Sequence, residues 1–135
     1  MASTSTKIHA QAIGRRKTAL AGVRLISGKG EITVNNKPAG DYFPGETAKS
    51  RYMSPFVVTE MGNKYAATIR VSGGGNFGQL DATTLGIARA LVEINEKFRE
   101  PLRAAGLLTR DPRKRQRRMV GMGGKSRRRK QSPKR

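Results

Sequence analysis

The sequence predicts an α+β body of two layers in β-β-β-α-β-α order, one four-stranded sheet with helices on one face, followed by an extended basic tail. Three observations predict it. Apolar and polar residues alternate in four stretches, which is the period of a half-buried strand. Two other stretches repeat apolar residues at helical spacing. Beyond Asp111 the large apolar side chains reduce to Met119, Val120 and Met122, too few for a core, while Lys and Arg crowd together.

In 7–13, Ile8, Ala10 and Ala12 face one way and Lys7, His9 and Gln11 the other, a strand. Gly14-Arg15-Arg16-Lys17 then reads as a basic turn. A second strand spans 19–26, with Val23 and Leu25 on one side of Arg24. Ser27-Gly28-Lys29-Gly30 turns the chain into a third strand at 31–34, where Ile32 and Val34 alternate and Asn35-Asn36 ends the run. The stretch 46–61 reads as a broken helix. Ser54-Pro55 offers an N-cap followed by a first-turn proline, so a second short helix starts there and stops at Gly62. Strand returns at 64–72, with Tyr65, Ala67, Ile69 and Val71 on one face. After a glycine-rich turn, Leu80, Ile87, Leu91, Ile94 and Phe98 mark the longest helix, 79–98. A last helical piece, 101–105, ends at Gly106.

Charge is the dominant compositional fact. The 135 residues carry 28 Lys and Arg against 9 Asp and Glu, a net +19. Such self-repulsion brings a free globular protein nothing and points to a polyanionic partner. Thirteen of the basic residues fall in 110–135, with Asp111 as the single acid. The chain therefore divides into a globular body, 1–109, and a basic extended tail, 110–135, ordered by RNA. The tail's candidate phosphate contacts are Arg110, Arg113, Lys114, Arg115, Arg117, Arg118, Lys125, Arg127, Arg128, Arg129 and Lys130. Arginine predominates, which suits bidentate grip on phosphate. Gly121, Gly123 and Gly124 let the tail's backbone follow a ribose-phosphate chain closely. On the body, Arg15, Arg16 and Lys17 join the expected contacts.

Several function classes drop out. No apolar run approaches the roughly 20 residues of a spanning helix, so no membrane partner is expected. Residues 1–6 are short and polar, without the apolar region of a secretory signal, and a cytoplasmic location follows by elimination. Cys is absent and His9 is the single histidine, so no metal site is expected. Gly73-Gly74-Gly75-Asn76-Phe77-Gly78 fits the glycine pattern of a dinucleotide fingerprint. A Rossmann unit would need a second parallel strand after the helix, with an acid at its end, and basic tail follows instead. Gly73, Gly74, Gly75 and Gly78 are read as a structural turn that leaves the following helix open to a phosphate. Gly124-Lys125-Ser126 resembles the end of a P-loop, but the glycine required five residues earlier is Met119. No catalytic triad or carboxylate pair assembles, so neither an enzyme, a cofactor nor a small-molecule substrate is expected. Aromatic residues are scarce, which favours backbone and shape recognition over base stacking. On composition alone, a DNA-compacting protein is the alternative.

Six motifs in order carry a family likeness: Gly14-Arg15-Arg16-Lys17-Thr18-Ala19, Asn35-Asn36-Lys37-Pro38, Asp41-Tyr42-Phe43, Gly73-Gly74-Gly75 with Gly78-Gln79, Gly86-Ile87-Ala88-Arg89-Ala90-Leu91, and Leu102-Arg103 with Gly106-Leu107-Leu108-Thr109-Arg110-Asp111. With the terminal Lys134-Arg135 they resemble the ninth small-subunit ribosomal protein of bacterial type over nearly the whole chain. The resemblance implies a left-handed crossover in the fold and a body packed on small-subunit ribosomal RNA in the head, beside neighbouring ribosomal proteins. It implies a tail that runs to the peptidyl-site transfer RNA, where Lys134 and Arg135 match the last two family positions. Pro133 stands where the family has Ser, with Ser132 displaced by one.

Overall fold

A computed structural model describes residues 8–62 and 64–121. Strand β1 spans Ile8–Arg16 and β2 spans Ala19–Ser27. Two short strands follow, β3 at Thr33–Val34 and β4 at Lys37–Pro38. Helix α1 is the single turn Ala39–Tyr42, and α2 spans Glu46–Thr59. Strand β5 is Tyr65–Ser72 and helix α3 is Asn76–Ile94. A 3-10 turn at Glu96–Phe98 leads into α4, Arg99–Ala104.

The strands form one mixed sheet in the order β1-β2-β5-β3-β4. Every neighbouring pair is antiparallel except β3 and β5, which run parallel, so the chain between them must cross over the sheet, and α2 lies in that connection. The expected four strands become five. Asn35 and Asn36 take φ of 49° and 67°, the left-handed pair that a two-residue hairpin turn requires, and Lys37-Pro38 pairs back on Thr33-Val34. Proline is tolerated there because β4 is the sheet's edge.

Alternation decides which side is buried. Ala19, Ala21, Val23 and Leu25 of β2 and Ala67, Ile69 and Val71 of β5 point into the core. Helix α3 lies across β1 and β2 on that side and α2 packs on α3, with Leu80, Ile87 and Leu91 of α3 and Tyr52 and Phe56 of α2 buried in the shared core. Two glycines set the closest approach. A Cβ at Gly14 would overlap the Ala82 carbonyl oxygen and lie 2.5 Å from the Gly86 nitrogen, and one at Gly86 would meet Val23 Cγ2 at 2.7 Å. Strand β1 therefore does not break at Gly14. It continues through Arg15 and Arg16, and the reversal falls on Lys17-Thr18, with Lys17 at φ 54°.

Further boundaries differ from expectation, among them the end of α3, which stops at Ile94 where 98 is expected, with Asn95 in extended conformation. Helix α2 is continuous through Pro55. Proline forfeits one helical hydrogen bond, but Pro55 and Phe56 are buried and the Ser54 hydroxyl donates to the Ser50 carbonyl, so packing holds the turn together. The helix ends on Glu60, in left-handed conformation at φ 58°, two residues before Gly62. Helix α3 begins at Asn76, so Gly78 lies within its first turn and not in the preceding loop.

Candidate nucleic-acid interface

The tail leaves the body at a cleft between the end of β1, α2, α3 and the segment after α4. Alternation along β1 sends Arg15 and Arg16 to opposite sides of the sheet. Arg15 is exposed, as is Lys17 in the turn. The Arg16 side chain is turned inward and keeps 12% of its surface accessible. It stands between two carboxylates, with Nε 3.5 Å from Asp81 Oδ2 of α3 and Nη2 3.4 Å from Asp111 Oδ2 at the root of the tail. It also donates to the Arg113 carbonyl. Asp81 is shared, since Arg51 Nη1 of α2 lies 3.0 Å from its other oxygen.

Asp111 is the hub of the root. Its Oδ1 accepts the Arg113 backbone N–H at 3.0 Å, and the Arg113 guanidinium donates to both carboxylate oxygens, the shortest contact being 2.7 Å. The side-chain and backbone hydrogen bonds from Arg113, then the charges of Arg113 and Arg16, hold the Asp111 carboxyl well below the usual carboxylate range. The single acid of the tail is thus consumed in fastening the tail to the body. Beyond it, Lys114, Arg115, Arg117 and Arg118 are exposed, as is Arg110 before it. None of these five is ion-paired among the described residues. A run of unneutralised cations on irregular backbone fits a polyanion that can be followed phosphate by phosphate. Lys125, Arg127, Arg128, Arg129, Lys130, Lys134 and Arg135 lie outside the described residues.

The glycine segment has a structural explanation of its own. Gly73 and Gly74 take φ of 71° and 63°, and a Cβ on Gly73 would strike the Thr18 carbonyl oxygen at 2.5 Å. The turn is pressed against the β1–β2 hairpin. Gly75 has ordinary extended backbone, and no side chain caps the start of α3 after it. A hydrogen-bond chain fixes the loop: Gln79 Nε2 donates to the Gly73 carbonyl at 3.0 Å, Tyr42 Oη donates to Gln79 Oε1 at 2.8 Å, and Asn35 Nδ2 reaches Tyr42 Oη at 3.4 Å. Asn35 also clasps Val71 of β5, donating to its carbonyl at 3.1 Å and accepting its N–H at 3.0 Å. Three sequence motifs, the glycine motif well separated in the chain from the other two, are therefore one network. A fourth and a fifth meet where Gly14 crosses Gly86.

Sequence reasoning singles out Arg16 as an RNA contact, and the structure places it in an internal clamp. It misses Asp81 and Arg51, because nothing in local sequence announces an ion pair between separate elements. Asp111 does carry a signal, as the lone acid in a dense basic run. Among the described residues no group of three or more His, Asp or Glu side chains could hold a metal ion, and no helix is long and apolar enough to cross a membrane. The family model described as ribosomal protein S9/S16 matches residues 14–135.

Proposed function

The chain belongs to the ribosomal protein S9/S16 family, and from that premise we propose that it sits in the head of the small ribosomal subunit, in the cytoplasm, with its tail directed to the peptidyl-site transfer RNA. Membership makes it a structural, non-enzymatic constituent of the ribosome that binds ribosomal RNA beside other ribosomal proteins. In the proposed reading, 1–109 is the body and carries the left-handed crossover between β3 and β5, while 110–135 is the tail that RNA orders. Arg15, Lys17, Arg110, Arg113, Lys114, Arg115, Arg117 and Arg118, with Lys125 and Arg127 to Lys130 farther on, neutralise ribosomal RNA phosphates, Arg113 from a guanidinium largely exposed beside Asp111. Lys134 and Arg135 add charge beside transfer RNA.

The observation that supports this most directly is the anchored root. Asp111 is tied to Arg16 and Arg113, so the tail leaves from a fixed point on the body while, among the described residues, Lys114, Arg115, Arg117 and Arg118 after it make no ion pair. Such an anchor has little use on a solvated terminus and a clear one on a segment that must enter RNA in a defined direction. The division of labour is testable by removing Lys134 and Arg135. Subunits should assemble at normal yield, and retention of transfer RNA in the peptidyl site should weaken. A subunit that fails to form, or retention that does not change, would contradict it.

A further inference from the structure

The sheet has a face that no element of the described residues covers. Helices α2 and α3 occupy one side. The other presents Ile13 and Arg15 from β1, Gly22 and Arg24 from β2, and Thr68 and Arg70 from β5, by the alternation that buries their neighbours. Register fixes their arrangement. Gly22 lies between Ile13 and Arg70, and Arg24 lies beside Thr68. Arg24 and Arg70 are thus diagonal neighbours across β2 and β5, about 7–8 Å apart at the backbone. Neither has an acidic or hydrogen-bonding side-chain partner among the described residues, and no acid lines the groove between them.

Gly22 makes the groove. A Cβ built there meets nothing nearer than the Arg70 carbonyl oxygen at 4.0 Å, so the missing side chain leaves open space and not a packed contact. Its backbone does not take a positive φ, so neither strain nor crowding demands glycine at this position. A mid-strand glycine is less favourable than alanine. Here that cost yields a depression flanked by two guanidinium groups that are unpaired among the described residues.

Adjacent like charges without counterions destabilise a free protein and are offset when a polyanion binds. Among the described residues the groove has no aromatic lining, which argues against base stacking and leaves phosphate and ribose as the groups to be recognised. Arg15 belongs to this face and also lines the cleft where the tail departs, so the face is continuous with the tail's root. We infer that this open sheet face is a second RNA-contact surface, on which Arg24 and Arg70 grip phosphates of a ribosomal RNA strand whose backbone lies over Gly22. The inference rests on the RNA-binding reading above and adds to the body contacts named there the sheet face around Gly22, with Arg24 and Arg70.

The test uses the full chain and deproteinised small-subunit ribosomal RNA, with affinity measured across a range of salt. The double variant Arg24→Gln/Arg70→Gln should bind more weakly and lower the salt slope by about 2, roughly 1 for each phosphate no longer neutralised. Gly22→Val fills the depression with a better strand former, so thermal stability should hold or rise while affinity falls. Affinity and slope matching the parent in the double variant, or parental affinity in a stably folded Gly22→Val, would overturn the inference. Variants that bind RNA normally but lose a neighbouring ribosomal protein from the subunit would overturn it too, by making the face a protein contact. The tail is intact in all of these chains, so a parent that fails to bind RNA counts against the proposed function, whereas a parent that binds with unaffected variants counts against this face alone.

Discussion

Arg15 and Arg16 are adjacent, alike in chemistry and opposite in use. One is exposed on the open side of the sheet, and the other is held between Asp81 and Asp111. The difference comes from strand alternation, which is legible only if β1 is extended through Gly14. Glycine next to three basic residues reads as a turn, and the reason for the glycine, the backbone of α3 pressed against it, lies 68 to 72 residues away at Ala82 and Gly86. The clamp also fixes a pH behaviour. The folded Asp111 carboxyl loses its proton more readily than the unfolded one, whose ordinary value is 3.8. The stability it contributes is therefore complete above that value and is lost as pH falls further, through the depressed folded value. The Asp111 carboxyl carbon should show no NMR titration between pH 7 and about pH 4. A midpoint at or above the ordinary 3.8 would mean that the tail's root is not clamped.

At the scale of elements, the long β2 and β5 strands and helix α3 are readable from periodicity, because each buries one full face against the same core. The elements that periodicity misses are those decided by a few residues. Strand β4 is two residues long and exists because a left-handed Asn pair reverses the chain. The continuity of α2 through Pro55 depends on tertiary burial of Pro55 and Phe56, which no local propensity reports. The motifs behind the family likeness are legible as words in order. The structure supplies their syntax, since Asn35, Tyr42, Gln79 and Gly73 form one hydrogen-bond chain. The most sensitive contact between elements is the crossing of β1 and α3. Gly14→Ala places a methyl group against backbone on the far side, where no side chain can rotate away. We expect a loss of about 3 kcal/mol, large against a typical total of about 5–15 kcal/mol. The melting temperature should fall by roughly 12 °C or more. A variant that melts with the parent would show that helix and strand are farther apart than described.

Over the whole molecule, function follows from where charge is neutralised and where it is left alone. Net charge of +19 announces a polyanionic partner, and sequence alone places most of it in the tail. Among the described residues folding then commits a few cations to intramolecular pairs, Arg16 and Arg51 at Asp81, Arg113 at Asp111 and Arg99 at Glu96, and leaves others, Arg15, Lys17 and Arg110 among them, exposed on an α+β body. Sequence does not reveal that partition, since it depends on which elements meet. Nor does it reveal the sheet face left open by the described residues, because the same alternation describes a face covered by a partner domain. The central claim is that these remaining charges place the protein on the small ribosomal subunit. Sedimentation of the full chain, tagged in its native cell, through a salt-containing density gradient tests it most directly. Stoichiometric co-sedimentation with small subunits and whole ribosomes is the expected result. A peak with nucleoid DNA, or free protein at the top of the gradient, would contradict it.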